Sequence, residues 1–456
     1  MDWKGKRVVI IGAGRQGTAA AVYLARHDAP VVLTDSRSAE QLKAARLRLY
    51  DLPLEWRLGG HPTEMLEGAD LLCLSGGVPT DIPLVKEAQA RGIPISNDSQ
   101  LFLEAAPCLV IGITGSAGKT TTTILVGRIL KAMEGKQVRC AWVGGNIGNP
   151  LLADVDEMQA NDLAVIELSS FQLEWMTRVP QIAAILNIAP NHLDRHATME
   201  KYVAAKARIL DFQKSDDIAV LNREDPATWA LSGRVNGRLL SFGRGELAAK
   251  QQGAFVRGAL IWLRDDEGER AVLSLSEIEL IGEHNVLNVL AACAVSAAVG
   301  APVEAIQAGV RGFRGAPHRL EWVRTMNGAD WYNDSIATAP QRAEAALRAF
   351  ERPIVLMLGG RDKGLAWEDL ARLAQERARH IVLFGEAAAM VDGIFSRVAS
   401  ALPRSLASGL AEAVEEAAKA AQPGDIVLLS PGGTSFDEFV DFEKRGERFR
   451  LLVKEL

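Results

Sequence analysis

Ile111-Gly-Ile-Thr-Gly-Ser-Ala-Gly-Lys-Thr-Thr121 runs an apolar strand into a glycine turn and sets a lysine and hydroxyls at a helix start. A nucleoside triphosphate needs that order of parts. Backbone N–H groups of Gly115, Ser116, Ala117 and Gly118, with the positive end of the helix, cradle phosphate oxygens; Lys119 reaches the outer phosphates, and Thr120, with Thr121 beside it, offers a hydroxyl to magnesium. The strict pattern wants a glycine where Ile113 stands, so only its second half is met, and a mere tight turn is the alternative. The strand before it and the helical stretch after it, Thr122 to Met133, favour phosphate.

The same unit recurs. Apolar strands precede glycine turns at Arg7–Ile11, Ile354–Leu358 and Ile426–Ser430, each followed by an amphipathic or alanine-rich helix. Nearly all-apolar strands separated by helices indicate parallel sheets covered on both faces. The fold class is therefore α/β with three domains: a Rossmann-like one over 1–106, a central P-loop-type parallel sheet over 107–314, and a second Rossmann-like one over 315–456. The breaks fall at Ala106-Pro107 and within Gly312–Pro317. Ala254–Leu275, with alternating polarity, reads as a hairpin appended to the central sheet.

The chain has 456 residues, 48% hydrophobic and 24% charged, with a formal charge of −6. Such a balance supplies sizeable cores and argues against nucleic acid or a membrane surface as partner. The four cysteines are far apart, without metal-ligand spacing, and read as reduced thiols of a cytoplasmic protein. Its N-terminus lacks the pattern of a signal peptide.

Gly12-x-Gly14-x-x-Gly17 follows the first strand, and Asp35 ends the next. This fingerprint takes a phosphate bridge and a ribose; a UDP-type ligand, NAD or FAD, and a structural turn all remain open. Arg15 and Gln16 are large and polar enough to touch phosphates. The Ser75-Gly76-Gly77 loop should face the same cleft. Glu167, ending a buried strand beside the phosphate loop, is placed to anchor magnesium, or else caps a helix. Asn191-His192-Leu-Asp194-Arg195-His196 is richer in chemistry than a loop requires, although His192 alone could be a satisfied core histidine. Lys206, on a helix from Met199 to Phe212, is by default a solvated surface lysine.

These blocks together resemble the Mur ligase family, and within it the members that add glutamate to UDP-N-acetylmuramoyl-L-alanine. The resemblance is carried by Gly112–Thr120, Gly-Gly-Asn-Ile-Gly (144–148), Glu-Leu-Ser-Ser-Phe-Gln-Leu-Glu (167–174), Asn-His-Leu-Asp-Arg (191–195) and Tyr-Val-Ala-Ala-Lys (202–206). Glu-His-Asn-Val-Leu-Asn (283–288), Pro-His-Arg (317–319), Asn-Asp-Ser (333–335), Gly-Gly-Arg-Asp-Lys (359–363) and Ser-Phe-Asp-Glu-Phe (435–439) follow in family order.

The resemblance implies ATP-driven amide formation through an acyl phosphate, with two magnesium ions, in peptidoglycan precursor synthesis. Lys119 would hold the outer phosphates. Thr120 and Glu167 would ligate one magnesium, and His192 with a carbamylated Lys206 the other. Asn285 and Asn288 would lie near the adenine, with Arg319 and Asp334 also on ATP. The UDP substrate would be taken by Gly14, Arg15, Gln16, Gly17, Asp35, Ser36, Gly76 and Asn146. Glutamate would be held by His192, Thr338, Lys363, Ser435 and Phe442. A monomer serving small molecules, with domains that close over the acyl phosphate, is expected.

Three runs depart from the family pattern. Asp334-Ser-Ile336-Ala-Thr338-Ala-Pro340 stands where Asp-Ser-Lys-Ala-Thr-Asn is common, Ser430-Pro-Gly-Gly-Thr434 is altered, and Asn191 replaces an aspartate. Arg361 is a candidate to restore the lost lysine charge. D-glutamate is the expected substrate; L-glutamate, or another amino acid of a Mur-type ligase, is the alternative. Other classes would be a nucleotide-ordered regulatory switch, which needs no Glu167–His192–Lys206 set, a dinucleotide oxidoreductase, which leaves the phosphate loop unused, and folylpolyglutamate synthetase, which the N-terminal UDP-type domain disfavours.

Overall fold

The computed structural model describes residues 2–191 and 193–456. Among them the strands form three sheets, whose central strands are runs of apolar residues. The first orders β1 (Val8–Ile11), β2 (Val31–Asp35), β3 (Leu54–Leu58), β4 (Leu71–Leu74) and β5 (Ile95–Ser96) as β3-β2-β1-β4-β5, all parallel. β1, β2 and β4 are buried along their whole length, which their Val, Ile and Leu content requires in a sheet covered on both faces.

The second sheet has β6 (Leu109–Thr114), β7 (Ala141–Gly145), β8 (Leu163–Glu167), β9 (Ile182–Ile185), β10 (Ile218–Asn222), β11 (Arg238–Phe242), β12 (Gly253–Arg257), β13 (Leu260–Asp265) and β14 (Gly268–Ser274). Its order is β14-β13-β12-β11-β10-β9-β6-β8-β7, parallel from β7 to β12 and antiparallel beyond. The appended element is thus a three-stranded meander rather than one hairpin. Gly258 (φ +61°) and Gly268 (φ +110°) supply the left-handed backbone of its two tight turns.

The third sheet orders β15 (Glu321–Met326), β16 (Ala329–Asn333), β17 (Ile354–Gly359), β18 (Ala378–Phe384), β19 (Arg404–Ala407) and β20 (Ile426–Gly432) as β15-β16-β20-β17-β18-β19. Only the β15–β16 pair is antiparallel. The chain divides into two compact units: Met1–Ile278 with Glu283–Phe313, holding the first two sheets, and Glu279–Gly282 with Arg314–Leu456, holding the third. No helix among the described residues is long and apolar enough to cross a membrane.

Within the first unit the helix Asp98–Ala105 carries a buried acid. Asn97 caps it, accepting from the Gln100 N–H, while Asp98 is only 3% exposed and its Oδ1 has no partner among the described residues. Burial pushes the Asp98 carboxyl up to about 7, against the opposing pull of Gln172 and the Ser99 N–H. The folded state therefore favours the protonated acid. That contribution is present below the ordinary carboxylate range of about 4 and is lost as pH rises toward 7. Denaturant unfolding across this window should show Asp98→Asn with a flatter pH profile than the parent; parallel profiles would exclude the effect.

Candidate active site

The phosphate loop is shaped by its last glycine. Gly118 has φ +82° and caps the helix Lys119–Lys131, which begins at the lysine as the motif implies and three residues before the helical stretch read from Thr122. A Cβ on Gly118 would run into Asn288 Oδ1, so the glycine also permits the close approach of helix His284–Ala298. Asn288 Nδ2 donates to Asn285 Oδ1 at 2.8 Å, bringing both asparagines to the flank of the loop.

Five side chains meet at the C-terminal ends of β6 and β8. Thr120 donates its hydroxyl to Glu167 Oε2 at 2.9 Å, and Asn146 Nδ2 donates to Glu167 Oε1 at 2.9 Å. Lys119 Nζ donates to the Gly115 carbonyl at 2.8 Å; Lys206 Nζ donates to the same oxygen at 2.9 Å. Lys206, which by sequence alone would be solvated, is 1% exposed. Burial holds its amine well below the ordinary value; Lys119 adds to that effect and Glu167 opposes it. Its Nζ also lies 4.9 Å from the Tyr202 ring centre, and the Tyr202 hydroxyl is 2.9 Å from Ser116 Oγ.

One cleft of about 620 Å³ joins this cluster to the N-terminal glycine turn, with Gly14, Arg15, Gln16, Gly76, Lys119 and Lys206 in its wall. Gln16 accepts from the Gly76 N–H at 2.8 Å, fastening the two loops, and Arg15 donates to the Gly148 carbonyl at 3.3 Å. Gly17 lacks room for a Cβ, which would meet the Gly12 carbonyl. Asp35 ends the neighbouring strand and Ser36 follows it; neither is in the wall of this cleft. The Asp35 carboxylate accepts from the Ala13 N–H and pairs with Arg37 at 2.8 Å. Burial would raise this acid, but the hydrogen bonds from Arg37 and Ala13 prevail and bring it down to about 2.

Arg37 and Asn187 are functional candidates that sequence reading passes over. Asn187 Oδ1 accepts from the Ala117 N–H at 2.8 Å and its amide returns a bond to the Ala117 carbonyl, latching the phosphate loop to the end of β9. Its only sequence signal is position at a strand end. His192 lies outside the described residues. Among those described, no three His, Cys, Asp or Glu side chains converge as a metal cage. The oxygen donors Thr120 and Glu167 fit magnesium, a hard cation that takes most of its ligands from phosphate and water.

The second unit carries the remaining candidates. Lys363 Nζ donates to Thr338 Oγ1 at 3.4 Å. Asp334 is buried, accepts from Ser430 Oγ at 2.8 Å, and is pushed up by burial to about 7. Ser435 is buried, whereas Phe442 opens the helix Phe442–Glu455 and its carbonyl accepts from Ser335 Oγ at 2.8 Å. Arg361 pairs with Glu386 at 2.8 Å, so its charge is answered within the protein. Arg445, also unforeseen, is fully buried and donates to the Ser335 and Gly433 carbonyls, tying the altered Ser430–Thr434 run to the Asp334 turn.

Family models cover all three sheets: a Mur ligase MurD-like N-terminal domain over residues 6–97, a Mur ligase middle domain over 113–296, and a Mur ligase glutamate ligase domain over 318–433. The UDP-N-acetylmuramoylalanine–D-glutamate ligase of Symbiobacterium thermophilum is 42% identical over 454 residues, 99% of this chain and 98% of that one. The chain belongs to the Mur ligase family. The like-named enzyme of Koribacter versatilis is 40% identical to this Mur ligase over 457 residues, covering 100% of this chain and 99% of its own. Among solved structures, UDP-N-acetylmuramate-alanine ligase MurC from Thermotoga maritima shares the fold, with TM-score 0.58, 20% identity and 99% of each chain covered. The three-domain α/β architecture of this Mur ligase is thereby established, along with the family's use of ATP and magnesium.

Proposed function

We propose that this Mur ligase joins D-glutamate to UDP-N-acetylmuramoyl-L-alanine, with ATP converted to ADP and phosphate, as a step in peptidoglycan precursor synthesis. The choice of substrates follows the names of relatives that match along the whole chain. The observation that carries the chemistry is the meeting of Lys119, Thr120, Glu167 and Lys206 in and beside a cleft that continues to the N-terminal glycine turn.

The substrate's L-alanine carboxylate takes the terminal phosphoryl group of ATP, giving an acyl phosphate and ADP. The glutamate amine attacks that carbonyl carbon, loses a proton, and the tetrahedral intermediate expels phosphate as the amide forms. The loop N–H groups and Lys119 would hold the triphosphate and meet charge on the moving phosphoryl group. Thr120 and Glu167 would hold magnesium, which supplies neutralisation of phosphate charge when bound. Gly14 to Gly17 and Gly76 would seat the UDP part, and Asn146, held by Glu167, would orient substrate at the junction. Arg37, through Asp35, fixes the backbone of the first turn. Asn285 and Asn288 would border the adenine, and Arg319 and Asp334 would contact ATP. Thr338, Lys363, Ser435 and Phe442 would hold the amino acid. Lys206 would act as its carbamate. The protein would serve as a cytoplasmic monomer, engaging small molecules and no nucleic acid.

Phosphate release with UDP-N-acetylmuramoyl-L-alanine and each glutamate enantiomer tests this reading. Release is expected with D-glutamate and only background with L-glutamate. The reverse preference would reassign the stereochemistry; nucleotide turnover independent of both acceptor and amino acid would refute ligation.

A further inference from the structure

Three cations of the second unit gather without a matching acid. Arg319 lies on the loop before β15, Arg342 is the third residue of helix Pro340–Arg348, and Lys363 follows β17; each keeps some exposed surface. Lys363 Nζ meets Thr338 Oγ1 at 3.4 Å, and Arg342 Nη1 donates to the Ile336 carbonyl at 3.2 Å. One short stretch, Ile336 to Thr338, therefore receives both charged heads. Each head feels its neighbour: after burial, Arg342 is the cause that lowers Lys363, and Arg319 the one that lowers Arg342.

Their placement is electrostatically unfavourable. Neighbouring like charges repel, and a cation in the first turn opposes the positive end of the helix. That turn contains no acidic residue. The carboxyl that Arg319 and Arg342 both act on, Asp334, is a weak counter-charge, because burial pushes it up to about 7 and it is hydrogen bonded to Ser430. None of the three cations forms an ion pair with a carboxylate among the described residues.

We infer that Arg342 binds a carboxylate of the incoming amino acid together with Lys363 and Thr338. This rests on the ligase reading above and adds a specificity residue to it. A guanidinium offers two parallel N–H groups that match a carboxylate, a fit that an ammonium lacks. Its contact with the Ile336 carbonyl also puts the charge beside the position where the chain carries isoleucine instead of lysine. Arg361, the other candidate for that lost charge, is occupied by Glu386 at 2.8 Å.

Steady-state kinetics of the full chain with ATP, UDP-N-acetylmuramoyl-L-alanine and D-glutamate test the assignment. Arg342→Gln is expected to raise the glutamate KM by roughly tenfold or more, the worth of one charge-assisted hydrogen bond, while kcat and the ATP KM stay within about threefold. Arg342→Lys should recover part of the loss. Ile336→Lys placed in the Arg342→Gln background should return the glutamate KM toward the parent value. A rise in ATP KM with glutamate KM unchanged would give Arg342 to the phosphates and overturn the inference, as would unchanged constants throughout. Should Arg342→Gln fold poorly, Arg342→Lys decides alone: a raised glutamate KM supports the fork, and an unaltered one overturns it. Failure of the ligase reading is separately visible, because the parent enzyme would then release no phosphate in response to glutamate.

Discussion

Lys119→Ala and Glu167→Ala should each reduce phosphate release by about a thousandfold or more, at the upper end of what removing one preorganised electrostatic group does elsewhere. Lys119 Nζ is folded onto its own loop, with the Gly115 carbonyl at 2.8 Å and the Ser116 carbonyl at 3.3 Å. Those neutral acceptors are weak partners for an ammonium; phosphate oxygens arriving over the loop replace them with charged ones. Alanine leaves the loop backbone free to bind but removes the charge that follows the moving phosphoryl group. The loss therefore falls mainly on kcat.

Glu167 is bound into the framework more tightly than Lys119. It is 2% exposed and answers both the Thr120 hydroxyl and the Asn146 amide. Alanine would leave both donors without their acceptor, so the structural and electrostatic losses combine in that variant. Glu167→Gln separates them, since an amide of the same shape preserves an oxygen acceptor yet carries no charge. Its activity should be as low as that of Glu167→Ala, with a circular dichroism spectrum and melting temperature close to the parent. Full activity in Glu167→Gln would remove magnesium from this carboxylate and leave Glu167 a scaffold for Thr120.

The sheets were legible because their strands had nowhere else to go: Val8–Ile11, Ile354–Gly359 and Ile426–Gly432 are apolar enough to demand cover on both faces, and all are buried. Fine placement depended on single glycines. Gly118 in the left-handed region starts its helix at Lys119, and Gly258 with Gly268 turns one apparent hairpin into three strands. The site was legible where the chemistry is local, in the phosphate loop and the first glycine turn. It was illegible where a side chain's role is set by distant chain. Lys206 has the helical neighbours a surface lysine could have, Tyr202 one turn before it among them; the end of β6, brought against the helix by the fold, is what the sequence does not show, and there Lys206 is buried with its Nζ on the Gly115 carbonyl. Arg37 answers Asp35 through a local turn, Asn187 reaches across from the adjacent strand to Ala117, and Arg342 meets Ile336 across a helix start. None of the three belongs to a motif, and the family resemblance, which supplied Lys206, was silent on them.

Lys206→Ala is expected to lose about a hundredfold or more in turnover, comparable with removal of another active-site group, and millimolar short carboxylic acids should restore part of it. The unmodified side chain is poorly placed as a cation. It is 1% exposed, shares the Gly115 carbonyl with Lys119, and its amine lies well below its ordinary value because of burial and then Lys119. A neutral amine is the form that attacks carbon dioxide: the N–C bond forms, one proton leaves to solvent, and a carbamate anion remains. A carbamate here would invert the local charge, turning repulsion of Lys119 into attraction and offering an oxygen donor for a hard cation. Alanine removes the anion and opens space that formate or acetate can enter, whereas Lys206→Arg, bulky and permanently charged, should be inactive and resist rescue. Labelled bicarbonate should give a carbamate resonance in the parent that is absent from Lys206→Ala. Parent-level turnover by Lys206→Ala without added acid would show that no anion is needed there, and the lysine would then be a buried structural group.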